Sequence, residues 1–189
     1  MKILYYHQHF STPKGATGTR SYEFAQKLIE RGHAVTIVCG SYWIAETGLE
    51  GVFIHGQRTG TVDGIKVIEL ELNYSNSDIF LWRTFIFIRY SLQGIKIALN
   101  ENYDILFATS TPLTAGIPGI FAKIFRCKPF IFEVRDLWPE LPKAMKVITN
   151  PIILKLMDWL ETILYKTATA CIGLSPGIVD GIKKKTPNK

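Results

Sequence analysis

The opening forty residues, MKILYYHQHFSTPKGATGTRSYEFAQKLIERGHAVTIVCG (1–40), decide the fold. Ile3–Tyr6 is a short apolar run, the form of a strand buried on both faces of a parallel sheet. A loop rich in Gly, Thr and Pro follows over residues 11–18. From Arg20 to Arg31 apolar side chains recur at Tyr22, Phe24, Ala25, Leu28 and Ile29, which is a helical period. Gly32 then stands where a helix C-cap belongs. Val35–Cys39 reads as a second buried strand. Strand, helix and strand make a βαβ unit with a right-handed crossover.

The same rhythm continues outward. Residues 41–64 are irregular, with glycines at 48, 51, 56, 60 and 64, and fit an excursion or a small hairpin. Ile65–Leu72 reads as a strand and Asp78–Asn100 as a long apolar helix. Ile105–Ala108, Leu113–Phe125 and Pro129–Val134 follow as strand, helix and strand. Beyond a loop at Trp138-Pro139, Pro151–Lys166 is an amphipathic helix with proline in its first turn. Ala168–Leu174 is a last strand and Pro176–Lys185 a short helix. About six strands alternating with helices predict an α/β domain with an open, doubly wound, mostly parallel sheet. Thr186–Lys189, just past that helix, is expected to be a domain boundary or linker.

At 189 residues the chain is long enough to bury one real core. Hydrophobic residues at 47% and charged residues at 20% exclude a disordered chain and a plain membrane protein. A net charge of +6 favours anionic partners: phosphates, acidic lipid headgroups or nucleic acid. Cys39, Cys127 and Cys171 are far apart without CxxC spacing and read as buried free thiols, with a disulfide as the alternative. The start, Met1–Tyr6, is too short for a secretory signal, so a cytoplasmic location is expected.

Two loops carry the chemistry. The first is Lys14-Gly15-Ala16-Thr17-Gly18-Thr19-Arg20, which leaves the first strand and opens the first helix. Ligands of such sheets sit at this carboxyl edge, and free N–H groups at a helix start attract phosphate. The spacing is not the GxGxxG dinucleotide fingerprint, and Cys39-Gly40 stands where a ribose-binding acid would end the second strand. The bland alternative is a flexible loop with Thr19 as a cap. The second loop is Glu133-Val134-Arg135-Asp136-Leu137-Trp138-Pro139-Glu140, three carboxylates and an arginine directly after an apolar strand. Asp136 is placed to orient a hydroxyl or act as a base, and Arg135 to hold an anion bidentately. The alternative is an Arg–carboxylate pair fixing a turn, with Trp138-Pro139 as a packing plug.

The helix stretch Ile79–Tyr90 mixes Trp82 and several Phe with Arg83 and Arg89, with Arg89, Gln93 and Lys96 on one face. Two readings stand: a helix lying in a membrane interface, or a core helix whose arginines snorkel. His7 and His9, two apart after the first strand, share one side of an extended chain. They are candidates for the cleft rather than for a metal site, since no cysteine or carboxylate is near in sequence. Thr109-Ser110-Thr111-Pro112 brings hydroxyls to the same edge, with capping of the next helix as the alternative. His33 reads as a turn cap, and Lys183-Lys184-Lys185 as a solvated helix end.

Together these segments resemble family 4 glycosyltransferases, which have the GT-B fold of two Rossmann-like domains. The resemblance spans nearly the whole chain. It rests on Gly15–Arg20 with Tyr22–Leu28, on Glu30-Arg31-Gly32-His33-Ala34-Val35-Thr36, on Thr109–Pro112, on Glu133–Pro139 and on Leu174-Ser175-Pro176-Gly177. The Arg-Asp-Leu-Trp-Pro-Glu run is similar to a WbuB-like branch, with amino-sugar and fucosamine transferases of bacterial polysaccharide assembly such as O-antigen or capsule. The resemblance implies a single N-terminal, acceptor-binding, Rossmann-like domain over 1–189, with the donor-binding C-terminal domain outside it. It implies retaining transfer from a nucleoside-diphosphate sugar without a metal, and a polyprenyl-diphosphate saccharide acceptor at the inner membrane face. Asp136 and Arg135 would then be catalytic. Gly15, Thr17, Gly18, Thr19, Arg20, His7, His9, Thr109, Ser110, Glu133 and Trp138 would bind substrate. Many relatives carry a His-Asp pair after the strand matching Pro129–Val134, and that His helps catalysis; here the pair is Arg135-Asp136.

Composition and spacing alone reach a doubly wound α/β domain with anion-binding loops, which leaves open a non-enzymatic module for a nucleotide or phospholigand. Nucleic-acid binding is disfavoured because the basic residues are dispersed and no stacking platform is visible. A dehydrogenase lacks its ribose acid.

Overall fold

A computed structural model of the chain describes residues 1–42, 44–74 and 78–187. A seven-stranded sheet runs through it in the order β3-β4-β2-β1-β5-β6-β7. The strands are β1 (Lys2–Tyr6), β2 (Ala34–Tyr42), β3 (Gln57–Val62), β4 (Ile65–Tyr74), β5 (Ile105–Thr109), β6 (Phe130–Val134) and β7 (Ala170–Gly173). Neighbours pair in parallel except β3, which lies antiparallel to β4. The helices are α1 (Arg20–Glu30), α2 (Phe80–Asn100), α3 (Ile117–Arg126), α4 (Glu140–Ala144), α5 (Pro151–Thr167) and α6 (Pro176–Lys185). A 3-10 turn, Leu113–Gly116, leads into α3. This is a Rossmann-like α/β fold.

Alternation along the central strands splits the core into two layers. Ile3 and Tyr5 point with Val35, Ile37 and Phe107 to the layer that α1 covers through Ala25. Leu4 and Tyr6 point with Val38, Leu106, Phe132 and Val134 to the layer beneath α2, α3 and α5. The buried tyrosines of this second layer are tied by their hydroxyls. Tyr6 donates to the Gly94 carbonyl at 2.8 Å and Tyr90 to the Val38 carbonyl at 2.7 Å. Glycine at 94 is required there, because a Cβ would lie 2.8 Å from Pro118 and 3.0 Å from the Tyr6 ring. These contacts fix α2 against the sheet, with Phe87 and Arg83 one and two turns above Tyr90.

The irregular stretch 41–64 holds β3, closed onto β4 through Asp63-Gly64, both at positive φ (49° and 82°). The predicted helix Leu113–Phe125 divides into the 3-10 turn and α3. The expected loop after Trp138 contains the short α4. Gly32 takes the left-handed conformation (φ 79°) of a C-cap. Cys39 is buried, Cys171 half-buried and Cys127 exposed, all three as free thiols, so burial holds for only part of the set. Of the expected terminal linker, Asn188 and Lys189 lie outside the described residues.

Candidate functional site

The strand order reverses at β1. The chain steps outward from β1 to β2 and β4, then returns to place β5 on the other side of β1. At such a switch the connections leave in opposite directions and open a crevice beyond the carboxyl ends of the strands. A cleft of about 410 Å³ lies there. His7 and His9 enter it from the end of β1, Thr17, Gly18 and Arg20 from the first loop, and Tyr42 from the end of β2. Thr111 and Pro112 reach it after β5, Arg135 and Trp138 after β6, and Arg83 and Phe87 from α2.

The electrostatics of this cleft follow from its walls. Three guanidinium groups, of Arg20, Arg83 and Arg135, share it. His7 is buried and its Nδ1 lies 2.6 Å from the Ser21 hydroxyl, which leaves Nε2 for a ligand. Burial first, and then the charges of His9 and Arg135, lower the His7 pKa to about 3. Burial, Arg135 and Arg83 lower that of His9 to about 4. Both imidazoles are therefore neutral at pH 7, and the positive charge of the cleft is carried by arginine. The buried Thr17 and Thr111 hydroxyls and the Trp138 indole N–H have no hydrogen-bond partner among the described residues. Since such groups are ordinarily satisfied, they are positioned for a ligand or water.

Around this lining stands a supporting ring. Arg20 donates through Nε (3.2 Å) and a terminal nitrogen (2.7 Å) to Oε1 of Glu133, a buried carboxylate at the end of β6. The Ser110 hydroxyl accepts the Arg135 backbone N–H at 2.9 Å, which fixes the point where the second loop leaves the sheet. Glu133, Ser110 and the buried Thr109 thus lie behind the wall rather than on it. Thr109–Pro112 does not cap the next turn through a side chain, nor does Thr19 cap α1. Asp136 is half-buried on the Arg135 loop and outside the cleft lining, and Gly15 is outside it too. Arg83, Phe87 and Tyr42 complete the lining without having been singled out for it. For α2 the usable signal was the inward spacing of Arg83, Phe87 and Tyr90, which leaves Arg89 on the outer face.

The sequence model of the glycosyl transferase 4-like domain family matches residues 15–186. The chain belongs to this family. Among curated proteins no sequence matches it. One similar solved structure is described as "Trehalose-6-phosphate from E. coli bound with UDP-2-fluoro glucose", at 12% identity and a TM-score of 0.58. The alignment covers all of this chain and 43% of that one. The likeness is one of fold, a Rossmann-like domain as in one half of a GT-B architecture.

Two anchors, one for each loop, explain how this domain holds its cleft in shape. The second loop is anchored by Glu161 of α5, which has no exposure. Glu161 Oε1 accepts the Trp138 backbone N–H (2.7 Å) and the Tyr165 hydroxyl (2.5 Å), and its Oε2 accepts Lys185 Nζ. Lys185 also donates to Asp158 (2.7 Å) and to the Trp138 carbonyl (3.3 Å). The last of the three consecutive lysines is therefore tied into the loop, not solvated. The first loop is anchored to the chain after β2: Thr12 N–H donates to the Glu46 carbonyl at 2.8 Å and Ala16 N–H to the Ile44 carbonyl at 3.1 Å.

The two glycines of the first loop consequently differ. A Cβ on Gly15 would collide with the Ser11 hydroxyl and lie 2.7 Å from the Glu46 nitrogen, whereas one on Gly18 meets nothing within 4 Å. Gly15→Ala is expected to lower unfolding free energy by about 1–3 kcal/mol, as overpacking does. Gly18→Ala is expected to stay within roughly 0.5 kcal/mol of the native value. Denaturant midpoints of the two variants check this.

The buried histidines set a pH dependence. Their pKa values fall below the 6.5 of an unfolded chain, so the unfolded state binds more protons between pH 6.5 and their folded values. Their contribution is complete above pH 6.5 and is lost as pH falls towards 4 and then 3. Stability at pH 5 should be roughly 2–4 kcal/mol below that at pH 7.5. Urea unfolding across this range should show a shallower slope for His7→Gln/His9→Gln.

Proposed function

We propose that this domain is the acceptor-side half of a retaining hexosyltransferase in cell-surface polysaccharide synthesis. The enzyme moves a sugar from a nucleoside-diphosphate sugar to a saccharide carried on a polyprenyl diphosphate. The observation that carries this reading is the cleft wall itself: three arginines for phosphate charge, beside neutral imidazoles and hydroxyl and indole donors without a partner among the described residues, for sugar hydroxyls. Family membership supplies the reaction class. Arg135 and Arg83 hold phosphate oxygens, His7 Nε2 meets an acceptor hydroxyl, and Asp136 serves a hydroxyl approaching over its loop. Arginines rather than a metal ion balance the diphosphate. A donor-binding domain completes the site, and the present domain alone is inactive.

The decisive test is transfer of labelled sugar from a panel of nucleoside-diphosphate sugars to polyprenyl-diphosphate saccharides by the full-length protein. The product's anomeric configuration is then read by NMR. Retention is expected, and inversion would overturn the mechanism. Tight nucleotide-sugar binding by residues 1–189 without any transfer by the full-length protein would instead favour a phospholigand-binding module.

Peripheral membrane contact is the second part of the proposal. Leu81, Trp82, Phe85, Ile88 and Leu92 of α2 are all exposed beside Arg89, the pattern of an interfacial helix. No helix among the described residues is long and apolar enough to cross a membrane. Binding to anionic vesicles should drop with Leu81→Asp/Phe85→Asp, and unchanged binding would remove this element.

A further inference from the structure

Beside the cationic cleft lies a second cavity of about 220 Å³ that the transfer chemistry does not use. It is walled by Phe87 and Ile88 of α2, Leu113 of the 3-10 turn, Val147 and Ile148 after α4, and Met157 of α5. Its character is mostly apolar, yet it is not isolated. Arg83, Phe87, Pro112 and Trp138 line both this groove and the cleft. These four residues thus stand between a cleft that holds Arg20 and Arg135 and a groove walled mostly by aliphatic side chains.

We infer that this groove holds the headgroup-proximal end of an aliphatic chain whose phosphate or diphosphate sits in the adjacent arginine cleft. The inference rests on the lipid-linked acceptor reading above and gives it a separate chain-binding subsite. Two observations select this occupant. A peptide or a second copy of the chain would require no anionic group at the groove's inner end, whereas a lipid diphosphate matches the change from apolar to cationic walls across Trp138 and Arg83. The groove is also smaller than the roughly 300–1,000 Å³ of pockets that engulf whole ligands. It therefore takes only the first part of a long chain. Ile88 and Val147, both about half exposed, form its outer rim. From there Phe85 and Leu81 continue an exposed apolar track along α2, along which the rest of the chain passes to the bilayer.

The experiment compares the affinities of farnesyl diphosphate, inorganic pyrophosphate and farnesol for the chain, followed by the fluorescence of Trp138 against a Trp138→Phe reference. Farnesyl diphosphate should bind at least ten-fold more tightly than pyrophosphate, and farnesol at least ten-fold more weakly than farnesyl diphosphate. Ile88→Asn/Val147→Asn should collapse the farnesyl-to-pyrophosphate ratio towards one. Thermal melting controls for folding, and the rim exposure of both residues predicts little change. Equal affinities for farnesyl diphosphate and pyrophosphate would overturn the groove while leaving the cleft as an anion site. Farnesol binding as tightly as its diphosphate would overturn the coupling of groove to cleft. Failure of all three to bind would remove the lipid-linked acceptor reading together with the groove.

Discussion

Glu161→Ala is expected to cost about 3–5 kcal/mol of unfolding free energy, the range for removing one partner of a buried ion pair. The carboxylate is fully buried, and its loss strands three donors at once: the Lys185 ammonium, the Tyr165 hydroxyl and the Trp138 N–H. Asp158, 2.7 Å from Lys185, softens the loss for the lysine only. Two further variants separate charge from packing. Glu161→Gln keeps an acceptor for Trp138 and should cost roughly half as much. Glu161→Leu/Lys185→Met removes both charges and should recover part of the loss, as apolar replacement of buried pairs does. Chemical denaturation gives all three values. A loss below about 1 kcal/mol for the alanine variant would show that the network does not hold the loop.

Arg135→Glu is expected to weaken pyrophosphate binding, and sugar transfer by the full-length enzyme, by at least 100-fold. A bidentate guanidinium–phosphate contact contributes about 1.5–3 kcal/mol, and reversal of its charge adds repulsion at the same wall. Together these exceed the ~2.8 kcal/mol that correspond to 100-fold. Arg135→Lys retains charge but not the planar fork and should lose about ten-fold. A second readout distinguishes this from misfolding. Arg135 is the leading charge that holds His9 down, so its reversal must raise the His9 pKa, which NMR titration detects. An unchanged His9 pKa together with unchanged binding would remove Arg135 from the site.

Sequence legibility followed local patterns and failed where partners were remote. The β1–α1–β2 unit was readable because buried strands are continuous apolar runs and α1 carries a clean amphipathic stripe. β3 is different: Gln57–Val62 alternates between exposed and half-buried positions at the sheet edge, so only the glycines scattered over 41–64 pointed to a hairpin there. α4 is five residues long and contains Pro142, too short for any period. Of the residues that line the cleft, His7, His9, Thr17, Gly18, Arg20, Arg135 and Trp138 could be singled out in the sequence because they follow strands at the carboxyl edge. Arg83 belongs to α2, and its approach to the cleft depends on how Tyr90 and Gly94 seat that helix. Lys185 read as a solvated helix end because its carboxylates lie on α5, more than twenty residues back in the chain.

The place of β1 at the middle of the sheet has a kinetic consequence. Ile3 pairs with Ile105, so the second neighbour of β1 emerges about a hundred residues after it. At roughly 5–20 residues per second, about 5–20 s separate the two strands on the ribosome. During that interval one edge of β1, with the His7 turn at its end, is open to water or to a chaperone. The cleft is thus built late. Its walls from β1 and β2 must wait for β5 and β6, and slow non-local pairing of this kind sets the pace of folding.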